Sequence, residues 1–162
     1  MLCPSVAAMG DFTIFLCFGP LLMQCTSIIL TGAMQSKLTY YCIPIGLLTE
    51  AIVHANNARD ISSDASAGFS TTASLLGLEY SRILYNSLII GAYISALVIA
   101  TLHHCGCILV VLSAPLALGV MKQFSRNDLL TLDADTAKMH LPFGLLLWAG
   151  ILLSSEGLIH TW

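Results

Sequence analysis

Between Asp11 and Lys37 the chain reads "FTIFLCFGPLLMQCTSIILTGAMQS", residues 12–36, without one formal charge. About 20 apolar residues in a helix cross the hydrocarbon of a bilayer. Lipid offers no partner to open backbone groups, so a run like this one has to be helical. Further runs follow: "LTYYCIPIGLLTEAIVHA" (38–55), "ILYNSLIIGAYISALVIATL" after Arg82, and "CGCILVVLSAPLALGVM" (105–121). A last one extends roughly from Ala137 to Ser155, with Pro142 where a first helical turn tolerates it. Pro20, Pro44 and Pro115 fall inside spans and can kink them. The expected fold is all-α, a polytopic transmembrane bundle of about five spans.

Composition excludes the alternatives. Hydrophobic residues make up 57% of the chain and charged residues 9%, with mean hydropathy +0.86. A soluble domain has about a quarter of its residues charged. The net charge of −3 is too small and diffuse for nucleic-acid binding, and none is expected. The six cysteines (Cys3, Cys17, Cys25, Cys42, Cys105 and Cys107) have no paired spacing and read as free thiols. "MLCPSVAAMGDF" lacks a basic region ahead of an apolar run, so it reads as a loop rather than a signal peptide.

If the spans thread alternately, the loops after the second and fourth share a side. They carry Arg59, Arg82, Lys122, Arg126 and Lys138, five of the six basic residues, and Lys37 lies opposite. The positive-inside rule makes the basic side cytoplasmic. Tyr40, Tyr41, Trp148 and Trp162 read as packing or interface anchors, and "HHCGC" (103–107) as an interfacial turn on the other side.

The segment "HANNARDISSDASAGFSTTASLLG" adjoins the second run. Asn57, Asp60 and Asp64 stand at i, i+3 and i+7, one stripe of a helix, and His54 and Glu50 extend it into the membrane. A lone carboxylate in hydrocarbon is costly, so such groups face a cavity, a partner or a metal. Two carboxylates and an amide oxygen suit Mg²⁺, a hard ion that usually shares its oxygen ligands with a phosphate. Gly68 permits a tight turn or the close approach of a ligand. The plainer alternative has Asp60 and Asp64 capping helices or pairing with Arg59. Glu50 and His54 either serve a substrate or satisfy each other between helices. Asp133 and Asp135 read as solvated loop charges.

The same segment resembles the second aspartate-rich motif of the UbiA superfamily of intramembrane prenyltransferases, on Asn57, Asp60, Asp64, Gly68, Thr71 and Gly77. "GDFTIFLCFGPLL", "IPIGLLTEAIVHANNARD" and "RILYNSLI" are similar to its menaquinone-synthesising branch. The resemblance implies a nine-helix fold around a cavity, in which two aspartate-rich motifs hold Mg²⁺ and the diphosphate of a polyprenyl donor. The five spans then correspond to helices five to nine. Residues 1–162 are expected to form a partial, C-terminal domain without the first motif, Met1 marking an incomplete gene model, an alternative start or a truncated isoform.

The implied reaction transfers an isoprenoid to an aromatic, naphthoquinol-type acceptor in vitamin K or related quinone synthesis. The implied metal ligands are Asn57, Asp60 and Asp64, with Asn57, Arg59 and Gly68 at the diphosphate. Asp60, Asp64, Glu50 and His54 are the implied catalytic residues, the last two at the acceptor. Membrane lipid is the implied surrounding, in the endoplasmic reticulum, Golgi or mitochondrion. Where many relatives carry basic residues after the second aspartate and the glycine, this chain has Ala65, Phe69 and Ser70, leaving Arg59 as the nearby cation. The isolated chain is expected to be inactive. A transporter-like bundle with an ion path at Glu50 and Asp60, or a non-catalytic membrane protein, is the alternative.

Overall fold

A computed structural model describes residues 4–155, so Cys3 and Trp162 lie outside the described residues. Those residues form helices and turns without a strand, and five helices are long and apolar enough to span a membrane. Helix α1 (Pro4–Leu16) passes through a π-helical turn (Cys17–Leu21) into α2 (Leu22–Thr31). Pro20 sits in that wide turn, which absorbs the hydrogen bond a proline cannot donate. Helix α3 (Leu38–Arg59) is followed by short α4 (Ile61–Ala67) and long α5 (Thr72–Leu102). A 3₁₀ stretch (Cys105–Ser113) runs into α6 (Ala114–Ser125), and α7 (Leu132–Ser155) completes the described chain.

Three boundaries differ from the sequence reading. Residues Pro4 to Asp11 are helical rather than a loop: proline suits a first helical turn, and the alanines after it are strong helix formers. Helix α5 begins at Thr72, well before Arg82, and keeps the exposed Glu79 on an outward face. Helix α7 begins at Leu132, so Pro142 is an interior residue, not a first-turn one. In the last two cases the helix starts before its apolar run does. An apolar run marks the lipid-facing length of a helix, not its full extent.

Helix α3 lies at the centre, packed against α1, α5 and α7. Its buried face carries Leu48 and the small residues Ala51, Ala55 and Ala58, and α5 answers with Ala73, Ala92 and Ala96. Small side chains let helix backbones approach in a bilayer, where lipid removes the hydrophobic drive for helix association. Polar contacts help. Tyr85 Oη lies 2.6 Å from Thr136 Oγ1 between α5 and α7, and Tyr93 Oη lies 2.6 Å from Ser113 Oγ. Outward positions such as Ile29, Leu112 and Trp148 are exposed and apolar, as a lipid-facing surface requires.

Two contacts fix the threading. Arg59, at the end of α3, reaches Asp133 in the first turn of α7, which places the 60–71 and 126–131 loops at one end. At the other end Tyr40 stacks on His103 with ring centroids 5.8 Å apart, and Tyr41 meets His104 at 5.7 Å. The motif and the "HHCGC" turn therefore lie at opposite ends. Cys17, Cys25, Cys42 and Cys107 are free thiols.

Candidate functional site

The carboxylate stripe is not one helix. Helix α3 stops at Arg59, and Asp60 takes φ −95° and ψ 9°, a single-residue break before α4. The backbone bridges the break, since the Asp64 amide donates to the Asp60 carbonyl at 2.9 Å. Gly68 ends α4 in the left-handed region at φ +77°, and Phe69 N–H folds back to the Asp64 carbonyl at 2.9 Å. Thr71 then caps α5: its hydroxyl accepts from Ser74 N–H, and Ser74 Oγ accepts from Thr71 N–H. Gly77, at φ +72°, bends α5 one turn later. The polar and glycine positions of the segment thus shape a compact α-turn-α bend at the end of the bundle.

Arg59 organises this bend. Its Nε and Nη2 donate to the two Asp60 carboxylate oxygens, each at 2.9 Å, while Nη1 donates to Asp133 Oδ2 at 2.8 Å. Nη2 also donates to Asn56. The guanidinium holds the Asp60 carboxyl below the ordinary carboxylate range. Asp60 and Asp133 remain 33% and 25% exposed, so water and ligand can reach them. Asn57 and Asp64 are half-buried, and no ion pair reaches Asp64 among the described residues.

Asp133 is therefore no solvated loop charge. It belongs to the first turn of α7 and ties that helix to the motif. Asp135 is engaged too, accepting from Lys138 Nζ at 2.7 Å and from Thr131 Oγ1 at 2.8 Å. Both sit at a helix N-terminus, where negative charge meets the positive end of the helix dipole.

Among the described residues no three His, Cys, Asp or Glu side chains converge on a metal-sized site. The donors present at the bend are hard oxygens from Asn57, Asp60 and Asp64, of the kind that hold Mg²⁺ in company with phosphate oxygens. Asp60 keeps lone pairs beyond those used by Arg59. The residues fit a shared protein–diphosphate magnesium site rather than an all-protein cage.

Below the bend an open-sided cavity of about 360 Å³ is lined by Asp11 and Glu50 among Phe12, Phe15, Leu47, Thr72, Leu84 and Leu88. Glu50 is 5% exposed, and among the described residues no side chain other than Asp11 is placed to donate to its carboxylate oxygens. His54 is fully buried; its Nε2 donates to the Ser81 carbonyl at 3.1 Å. Its Nδ1 faces Asp11 Oδ2 at 3.6 Å. Glu50 and His54 do not satisfy each other.

A model of the UbiA prenyltransferase family matches residues 3–152. The chain belongs to that family. It is 38% identical over 152 residues to UbiA prenyltransferase domain-containing protein 1 of Mus musculus, covering 93% of this chain and 45% of the relative. The Homo sapiens protein of the same name is 39% identical over 152 residues, 93% of this chain and 44% of its own length. That of Dictyostelium discoideum is 36% identical over 149 residues, 91% and 45%. The chain thus spans a little under half the length of these relatives. Within the family frame, sequence reasoning had placed the polar stretch but missed two partners. Asp133 was hidden by a misplaced helix start. Asp11 was visible as the carboxylate that begins the first apolar run, and reading residues 1–11 as a loop left it without a role.

Proposed function

We propose that this chain supplies one half of an intramembrane site that transfers an isoprenoid from a polyprenyl diphosphate to an aromatic, naphthoquinol-type acceptor. It spans the part of the fold corresponding to helices five to nine. The observation that carries the reading is the family match along nearly the whole chain, with Asp60 at the break that caps the bundle and Asp64 in the short helix after it. Bound Mg²⁺ would neutralise charge building on the departing diphosphate.

Asn57, Asp60 and Asp64 present the oxygens that hold that ion. Arg59, already fixed by Asp60 and Asp133, is the cation within reach of the diphosphate. Apolar walls below the bend exclude the water that would intercept an allylic cation. Glu50 and His54 lie deeper on α3 and serve the acceptor. Asp60 to Glu50 is about 15 Å of helix at 1.5 Å per residue, too far for Glu50 to touch the diphosphate.

The test is prenylated naphthoquinone formed in washed membranes containing this chain together with the first four helices of a close relative, supplied with Mg²⁺ and donor. Asp60→Asn and Asp64→Asn should each remove product while leaving the amount of folded protein unchanged. Near-normal turnover by Asp64→Asn at limiting Mg²⁺ would show the metal assignment to be wrong.

A further inference from the structure

The cavity holds more acidity than diphosphate binding uses. Glu50 and Asp11 bring two carboxyl groups together in an otherwise apolar space, and among the described residues no other side chain donates to the Glu50 oxygens. A buried carboxylate without a donor costs several kcal/mol, so a site built this way is completed by a ligand that brings O–H or N–H groups. The flanking Phe12 and Phe15 suit a flat ring.

Asp11 adds direction. The Ser81 carbonyl can only accept, so His54 must carry its hydrogen on Nε2, and the bare side of the ring, Nδ1, faces Asp11. The charged groups recorded around His54 are Asp11 from α1 and, on the cavity wall, Glu50 from α3; α5 contributes the Ser81 carbonyl. Asp11 lies against both α3 residues, 3.6 Å from His54 Nδ1 and close enough to Glu50 for the two carboxyl groups to share a hydrogen bond.

We propose that Asp11, backed by His54, is the proton acceptor for a ring hydroxyl of the aromatic acceptor, while Glu50 anchors a second hydroxyl deeper in the cavity. This rests on the reading above. As the ring carbon bonds to the allylic carbon, the C–O bond to diphosphate breaks and its electron pair leaves with the diphosphate. The hydroxyl proton passes to the Asp11 carboxylate and on to His54 Nδ1, leaving a ring ketone. The hydrogen on the substituted carbon then leaves as a proton to diphosphate, and the ketone oxygen regains the proton from Asp11 and His54. One proton is released overall and no oxidant is required.

The experiment uses 1-naphthol, a phenol that becomes a strong acid when excited and emits as naphtholate when a base is in hydrogen-bond contact. The whole chain in lipid nanodiscs is titrated with the probe, and the saturable signal displaced by 1,4-naphthohydroquinone is read. The chain should bind the probe with naphtholate emission. Asp11→Asn should lose that emission yet keep binding, and Glu50→Gln should weaken binding about fivefold, the value of one ordinary hydrogen bond. Leu88→Trp, which fills the cavity and leaves the carboxylates in place, should abolish the saturable signal. Undiminished naphtholate emission from Asp11→Asn, or no saturable binding by the unaltered chain, overturns the proposal. Asp64→Asn should bind the probe normally; its effect on prenyl transfer is read separately, so the diphosphate reading and this one fail independently.

Discussion

At the scale of the residue, Arg59 decides what the motif can do. One guanidinium links Asp60 to Asp133, so the aspartate of the motif and the first turn of α7 respond together. Asp133→Asn should therefore lower prenyl transfer in the reconstituted enzyme partially, by releasing Arg59, whereas Asp64→Asn should remove it; steady-state turnover at saturating donor separates the two. The Asp60 carboxyl is held low by its guanidinium partner. A depressed carboxylate contributes stability that is fully present above its unfolded value near about 4 and is lost as pH falls through the folded value. The pair is exposed enough that this contribution is no more than about 1 kcal/mol. Arg59→Gln should return the Asp60 titration to the ordinary carboxylate range, seen by infrared difference titration with labelled aspartate; an unmoved titration would mean that another group holds it. Asn57, Asp60 and Asp64 were legible because polar groups stand out in apolar sequence. The Asp133 contact was not, since a partner 74 residues away leaves no local periodicity.

At the scale of the element, the closest packing is between the 3₁₀ stretch and α7. A Cβ on Gly150 would stand 2.3 Å from the Gly106 carbonyl oxygen, and one on Gly106 equally close to the Gly150 carbonyl oxygen. Ser154 Oγ accepts from Gly106 N–H and donates to the Gly150 carbonyl, both at 2.9 Å, closing the contact. The obstructing atoms are backbone, so neither helix can yield by turning a side chain. Gly150→Ala should destabilise by about 1–3 kcal/mol, the usual cost of overpacking, read from thermal or denaturant unfolding in detergent. Gly119→Ala, with open space around it, should change little. The five apolar runs were readable from composition, because a bilayer leaves few choices to such a chain. Their ends were not. The extra helix at Thr72 and at Leu132 begins before the apolar run does, where capping and tertiary pairing decide and hydropathy is silent.

At the scale of the whole molecule, the Arg59–Asp133 and Tyr40–His103 contacts sort the loops into two ends. Five of the six basic residues gather at the motif end or on the helices beside it, so that end should face the cytoplasm. In a cysteine-free background, Ser63→Cys and Ser36→Cys, both at exposed positions, should label from opposite sides of sealed vesicles. Labelling of both from one side would contradict the threading. The central claim is that this chain holds one of the two diphosphate-binding halves of a prenyltransferase cavity. Helices expressed as separate pieces can assemble within a bilayer through packing and polar contacts. The most direct measurement is therefore prenylated naphthoquinone formed by washed membranes of a host that lacks such an enzyme, with Mg²⁺ and donor supplied. The account predicts no product from residues 1–162 alone and product when the first four helices of a close relative are co-expressed. Robust product from the chain alone, or none from the assembled pair, would contradict it.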